Sequence, residues 1–111
     1  MAFTPRIVFV TASSMEEARN LARVLLTKRL VACVNIIPSV ESHYWWKDKL
    51  ETAQELQLAI KSSAEHFEAL AEVVRWHHSY QCPEIVAVAP GEMSPEYHAW
   101  WEAQLEGRPP A

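Results

Sequence analysis

The residue types best suited to chemistry gather between positions 77 and 84. His77 and His78 stand side by side, followed by Tyr80, Cys82 and Glu84. Imidazole nitrogen and thiolate sulfur suit copper and other borderline or soft ions, and a carboxylate adds a hard oxygen. Adjacent histidines chelate awkwardly, because neighbouring side chains diverge by about 100° on a helix and point to opposite faces of a strand. At a fraying helix end the two rings can still converge. The competing reading is structural: at a helix C-terminus His favours the dipole and finds unpaired carbonyls. The metal candidates are therefore His77 and His78, with Cys82 and Glu84 as contributors. Tyr80, Glu84 and Lys61 are candidates to line a cleft between subunits, although a carboxylate opening a strand is otherwise simply solvated. Cys33 lies in an apolar run and reads as a small buried hydrophobe. No nucleophile with a paired base is evident, so the chain reads as a protein that is not an enzyme.

The elements that position these residues follow from hydrophobic periodicity. Ile7–Val10 is a continuous β-branched and aromatic run, expected to be a strand covered on both faces. Ser13 with Glu16 and Ser14 with Glu17 offer overlapping capping boxes. Ala18, Leu21, Ala22, Leu25 and Leu26 then recur at helical spacing, so an amphipathic helix runs to about Arg29. Leu30–Ile37 reads as a second strand, ended or bulged at Pro38. Val40–Trp46 and Leu50–Ile60 alternate as the two arms of one hairpin, with a polar turn at Lys47–Lys49. Ser62 and Glu65 open a second helix with Phe67, Leu70, Ala71 and Val74 as its stripe, ending near Trp76–His78. Ile85–Ala89 is a fourth strand, read as covered on both faces like the first. Ser94 and Pro95 begin a short last helix with Tyr97, Trp100, Trp101 and Leu105 on its stripe, stopped by Gly107 and Pro109.

This order is β-α-β-β-α-β plus a C-terminal helix. Right-handed crossovers place both main helices on one face of a four-stranded sheet, the ferredoxin-like α/β (α+β) arrangement, as one domain over residues 1–111. The second face is left with only the last helix to cover it, so neighbouring subunits are expected there. Length argues the same way. An extended Val31–Trp46 spans about 53 Å at about 3.3 Å per residue, whereas a compact domain of this size is about 34 Å across. The hairpin must bend at Pro38 or project. Tyr44, Trp45 and Trp46 would then be stranded in water without a partner, and they are assigned to an oligomer interface. A ligand-stacking platform is the other reading of the two tryptophans. His43, alternating with Tyr44, is likewise read as an interface residue.

Composition narrows the partners. The chain has 111 residues, a net charge of −4 and no basic stripe, which disfavours nucleic acid. No apolar run approaches the ~20 residues that span a bilayer, and the apolar stretch at Ile7–Val10 is too short for a signal peptide. Two cysteines make no disulfide framework, so the expected address is the cytoplasm.

Two long motifs carry a family resemblance. Leu30-Val31-Ala32-Cys33-Val34-Asn35-Ile36-Ile37-Pro38, continued by Ser42-His43-Tyr44-Trp45-Trp46-Lys47-Asp48-Lys49-Leu50-Glu51, resembles the signature hairpin of the CutA family of divalent-cation tolerance proteins. His77-His78-Ser79-Tyr80-Gln81-Cys82-Pro83-Glu84-Ile85 resembles that family's second block, with Ser79 where the family has Pro. The resemblance runs from Ile7 to about Trp101. It implies a ferredoxin-like fold, shared with the PII signal-transduction proteins, assembled as a homotrimer through the long hairpins. It also implies a role in the response to divalent metal ions, copper(II) foremost; an unidentified protein partner is a separate candidate. Some family members carry a cysteine at the end of the first strand beside the histidine pair. This chain has Val10 there, so low copper affinity is expected. The alternative function is a PII-like sensor of an anionic small molecule or nucleotide, which the scarcity of glycine (Gly91 and Gly107 only) disfavours.

Overall fold

Successive side chains of a strand point to opposite faces, and this alternation divides the sheet into a filled face and an open one. The computed structural model describes residues 2–105. Its elements are β1 (Pro5–Ala12), α1 (Met15–Thr27), β2 (Cys33–Trp46), β3 (Lys49–Ser63), a 3-10 turn (Ala64–His66), α2 (Phe67–His77), β4 (Val86–Val88) and α3 (Pro95–Leu105). The sheet order is β2-β3-β1-β4, with every neighbouring pair antiparallel. This is the expected ferredoxin-like α/β topology.

On the filled face, Val8, Val10 and Ala12 of β1 and Leu58 and Ile60 of β3 meet Leu21 and Leu25 of α1 and Leu70 and Val74 of α2. All nine side chains are fully buried. The open face carries the alternate residues. Ile7 and Phe9 are half-buried, and Ile37, Val86 and Val88 are exposed apolar side chains. The expectation that strands one and four are covered on both faces is therefore not met within one chain. β4 is a three-residue edge strand, exposed throughout and bonded only to β1. Helix α3 covers one end of the open face, where Trp101 and Leu105 pack with Ala32, Phe3 and Ile7. The expected stop at Gly107 and Pro109 lies outside the described residues.

Local chemistry sets the boundaries. Of the two possible capping frames for α1, Ser14 with Glu17 is used: Ser14 Oγ accepts the Glu17 N–H at 3.1 Å. The helix closes on Arg29 in the left-handed region (φ 58°), with the Leu30 N–H returning to the Leu25 carbonyl at 3.2 Å. Ser63 rather than Ser62 caps the turn before α2, and Glu65 reaches back to Thr4, accepting its N–H at 2.9 Å. β2 begins at Cys33, not Leu30, because residues 30–32 are spent closing α1 and turning into the sheet. Pro38 sits in a register break between Ile37 and Val40, with Ser39 at φ 64°.

Beyond that break no third strand joins the hairpin among the described residues, since β1 pairs with β3 only as far as Leu56. Its turn is the two-residue Lys47-Asp48, both at positive φ, and Trp46 pairs with Lys49. The arm makes the chain 50 Å long against 27 and 23 Å in the other directions. Trp45 at its tip is 70% exposed. A lone two-stranded ribbon is marginal in water, so the arm is built to be received by something else.

Trp101 anchors α3 to the open face: it is 2% exposed and its Nε1–H donates to the Ser62 carbonyl at 2.9 Å. Trp101→Ala is expected to cost about 3–5 kcal/mol in urea unfolding, and Trp101→Phe, which loses mainly the hydrogen bond, about 1–2 kcal/mol.

Candidate functional site

The segment after α2 is fixed by two polar side chains, one buried and one largely so. His78 leaves the helix with extended backbone (φ −87°, ψ 144°) and turns toward the end of β1. Its ring is fully buried. Nε2 lies 2.7 Å from the Thr11 carbonyl, and Nδ1 accepts the Tyr80 N–H at 3.0 Å. A carbonyl can only accept and an amide N–H can only donate. The ring is thus the neutral tautomer protonated at Nε2, with both nitrogens engaged.

Glu17 ties the same segment to α1. One carboxylate oxygen accepts the Ser13 N–H at 2.9 Å and its hydroxyl at 3.0 Å; the other accepts the Ser79 N–H at 2.8 Å. Burial alone would raise its pKa, but the bonds from Ser13 and Ser79 prevail and hold it at about 2.

Tyr80 carries the segment onto the arm. Its hydroxyl donates to Glu55 at 2.7 Å, and its ring packs 4.7 Å from the His78 ring. Burial, and then the Glu55 carboxylate, push the Tyr80 hydroxyl well above its ordinary pKa, so it stays a donor. Between this segment and the arm lies an open cleft of about 700 Å³, lined by Tyr44, Trp46 and Glu55 from the arm and by Tyr80, Cys82 and Glu84 from the segment. Burial, and then repulsion from Glu55, raise the Glu84 pKa, and Gln57 donates to it at 3.4 Å. Two carboxylates beside aromatic faces suit a cation far better than an anion.

The structure separates the residues singled out by sequence. Cys82 and Glu84 share the cleft with Tyr44 and Trp46. His78 is buried behind them. His77 faces the helix layer instead, where its Nδ1–H donates to the Val73 carbonyl at 2.9 Å and the ring is otherwise exposed. Lys61 is not at the cleft; it bonds Asn35, near the Cys33 end of the sheet. Cys33 is half-buried, with Sγ 3.9 Å from Asn35 Oδ1. His43 is held on the arm between Glu41 at 2.7 Å and Thr52 at 3.2 Å. Glu55 and Thr11 escape a reading of the sequence. Alternation alone puts Glu55 on the polar side of a strand, and only its contact with Tyr80, 25 positions away, marks it.

These residues do not fit a closed metal centre within one chain. His78 has no nitrogen to offer, Val10 is fully buried in the core where a thiolate would be needed, and no three His, Cys, Asp or Glu side chains converge among the described residues.

The sheet order, the helices on one face and the projecting arm define a ferredoxin-like protein with an extended central hairpin. The model of the family described as CutA1 divalent ion tolerance protein matches residues 6–104. The divalent-cation tolerance protein CutA of Yersinia pestis (strain Pestoides F) is 37% identical over 99 residues, covering 89% of this chain and 83% of the relative. Among solved structures, the divalent cation tolerance protein (Cut A1) of Thermus thermophilus superposes with a TM-score of 0.85 at 40% identity, over 87% of this chain and 94% of that one. The protein described as the periplasmic divalent cation tolerance protein CutA of Archaeoglobus fulgidus gives 0.87 at 36%, over 91% and 98%. This chain belongs to the CutA1 divalent ion tolerance family.

The Glu17 geometry carries a pH signature. A carboxyl whose folded pKa lies below its unfolded value stabilises the fold fully above about pH 4.5 and loses that contribution as pH falls through about 2. Glu17→Gln is expected to lower stability by about 2–3 kcal/mol at pH 7. The gap from the wild type should close as urea unfolding is repeated at successively lower pH, and a gap independent of pH would contradict the assignment.

Proposed function

We propose that this chain acts in divalent-cation tolerance as a non-catalytic homotrimer that takes up copper(II) or a similar divalent ion weakly. The observation that carries the ion-binding reading is the meeting of Cys82 and Glu84 at one open, carboxylate-bearing cleft, in a chain of this family. Thiolate and carboxylate are donors for such ions, and a cleft beside an unpartnered arm is placed for donors from a neighbouring copy to complete the set. His77 contributes a separate exterior imidazole through Nε2. His78 positions the segment that bears Cys82 and Glu84 rather than ligating. The trimer reading is supported by the exposed apolar sheet face and by an arm tipped with Tyr44, Trp45 and Trp46. Two unpaired cysteines favour a reducing address, the cytoplasm, and no helix among the described residues is long and apolar enough to cross a membrane.

Thr52, His43 and Glu41 do line up in the order of a hydrolytic triad. The His43 and Glu41 side chains are 64% and 58% exposed, so water competes for each. A desolvated, preorganised setting for acyl transfer is missing, and the row is read as cross-strand pairing on the arm. The acidic lining of the cleft disfavours the anionic-sensor reading.

Sedimentation should give a trimer for the wild type, and Trp45→Ser with Trp46→Ser should shift it toward monomer. A wild-type monomer would refute the assembly. Calorimetric titration with copper(II) should show weak binding that falls on Cys82→Ser with Glu84→Gln. Equal affinity in the two proteins would remove the cleft as the site. In nitrogen-15 spectra copper should perturb His77 and leave the Nε2–H signature of His78 in place.

A further inference from the structure

Among the described residues Trp76 packs against almost nothing. It lies on the last turn of α2 and is 85% exposed. It follows Val74 by two positions, which puts it about 200° round the helix from that buried side chain. Leu70, Ala71 and Val74 hold α2 to the sheet, and Trp76 adds nothing to that contact.

Beside it runs a shallow groove of about 920 Å³ with Leu30, Ala69 and Val73 as its apolar floor. Lys28 and Arg75 flank this groove, and among the described residues Glu72 is the one carboxylate lining it. A second depression shares His77 with it and bears Arg19 and Arg23 together with Glu16 and Glu17. Glu17 is already committed to Ser13 and Ser79. Four Lys or Arg side chains therefore meet two available carboxylates, on a chain whose net charge is −4. Among the described residues no Lys or Arg lies within 4.0 Å of a carboxylate, so these cations are not neutralised by ion pairs there. The helix layer lies on the opposite side of the sheet from the open apolar face, so covering that face leaves Trp76 accessible.

We propose that the Trp76 groove docks a partner protein through an acidic segment bearing one large apolar side chain. The apolar group lodges against Trp76, Leu30 and Val73, and the segment's carboxylates meet Lys28 and Arg75. Tryptophan and arginine dominate the energetics of protein interfaces because each combines a broad apolar surface with directed polar groups. The local reversal of sign selects an acidic occupant and steers its approach. A nucleic acid would instead need a longer row of cations following a phosphate backbone.

The test is fluorescence anisotropy on the full chain in its native assembly. The probe is a short labelled glutamate-rich peptide with one central phenylalanine; a lysine-rich counterpart and a single-stranded oligonucleotide serve as comparisons. The acidic peptide should bind, more weakly as salt rises, and the lysine-rich one should not. Trp76→Ala should weaken binding about tenfold or more, as should Lys28→Glu combined with Arg75→Glu, while circular dichroism and Tm stay at wild-type values. Failure of the acidic peptide to bind, or equal binding by the Trp76→Ala protein, overturns the proposal. So does preferential binding of the oligonucleotide, or a smaller assembly for Trp76→Ala, which would make the groove a contact between copies.

Discussion

The rest of the molecule depends on one constraint: a strand shows alternate side chains to opposite faces, and in β1 both sets are apolar. Val8, Val10 and Ala12 go to the helices, which leaves Ile7 and Phe9 on the other side. Helices α1 and α2 fill the first face. The third helix reaches one end of the second face through Trp101 and Leu105 and leaves Ile37, Val86 and Val88 in water. The projecting arm repeats this imbalance at the level of hydrogen bonds, because beyond Leu56 β3 has a neighbour on one side only.

The site grows out of the same sheet. β1 ends at Ala12, and its last carbonyls and the start of α1 are where the segment after α2 is pinned. One buried imidazole and one largely buried carboxylate satisfy backbone groups from two separate stretches of chain, residues 11–13 and 79–80. The same two groups aim Tyr80 at Glu55 and bring Cys82 and Glu84 to the arm. Adjacent histidines thus divide their labour: His78 holds structure, and His77 faces outward beside the Trp76 groove.

Much of this was legible in the residue order. The apolar stripes of α1 and α2 and the alternation along the hairpin read correctly, because each is a local period. Boundaries slipped where the choice was not local. β2 starts at Cys33 rather than Leu30 because the Leu30 N–H is spent on the Leu25 carbonyl that closes α1. β4 read as buried because a run of β-branched residues looks alike whether its cover is its own chain or another.

Sequence alone determined the β-α-β-β-α-β order, the over-long hairpin and the family, since periods of two and 3.6 and two contiguous motifs are properties of neighbours along the chain. Tertiary structure alone decided the chemistry. Which histidine nitrogens are available depends on a bond between His78 and Thr11, 67 positions apart. Which carboxylate joins Glu84 depends on Tyr80 reaching Glu55 across 25. Such contacts arise only when the packed helices bring distant backbone groups together and their buried hydrogen bonds must be satisfied.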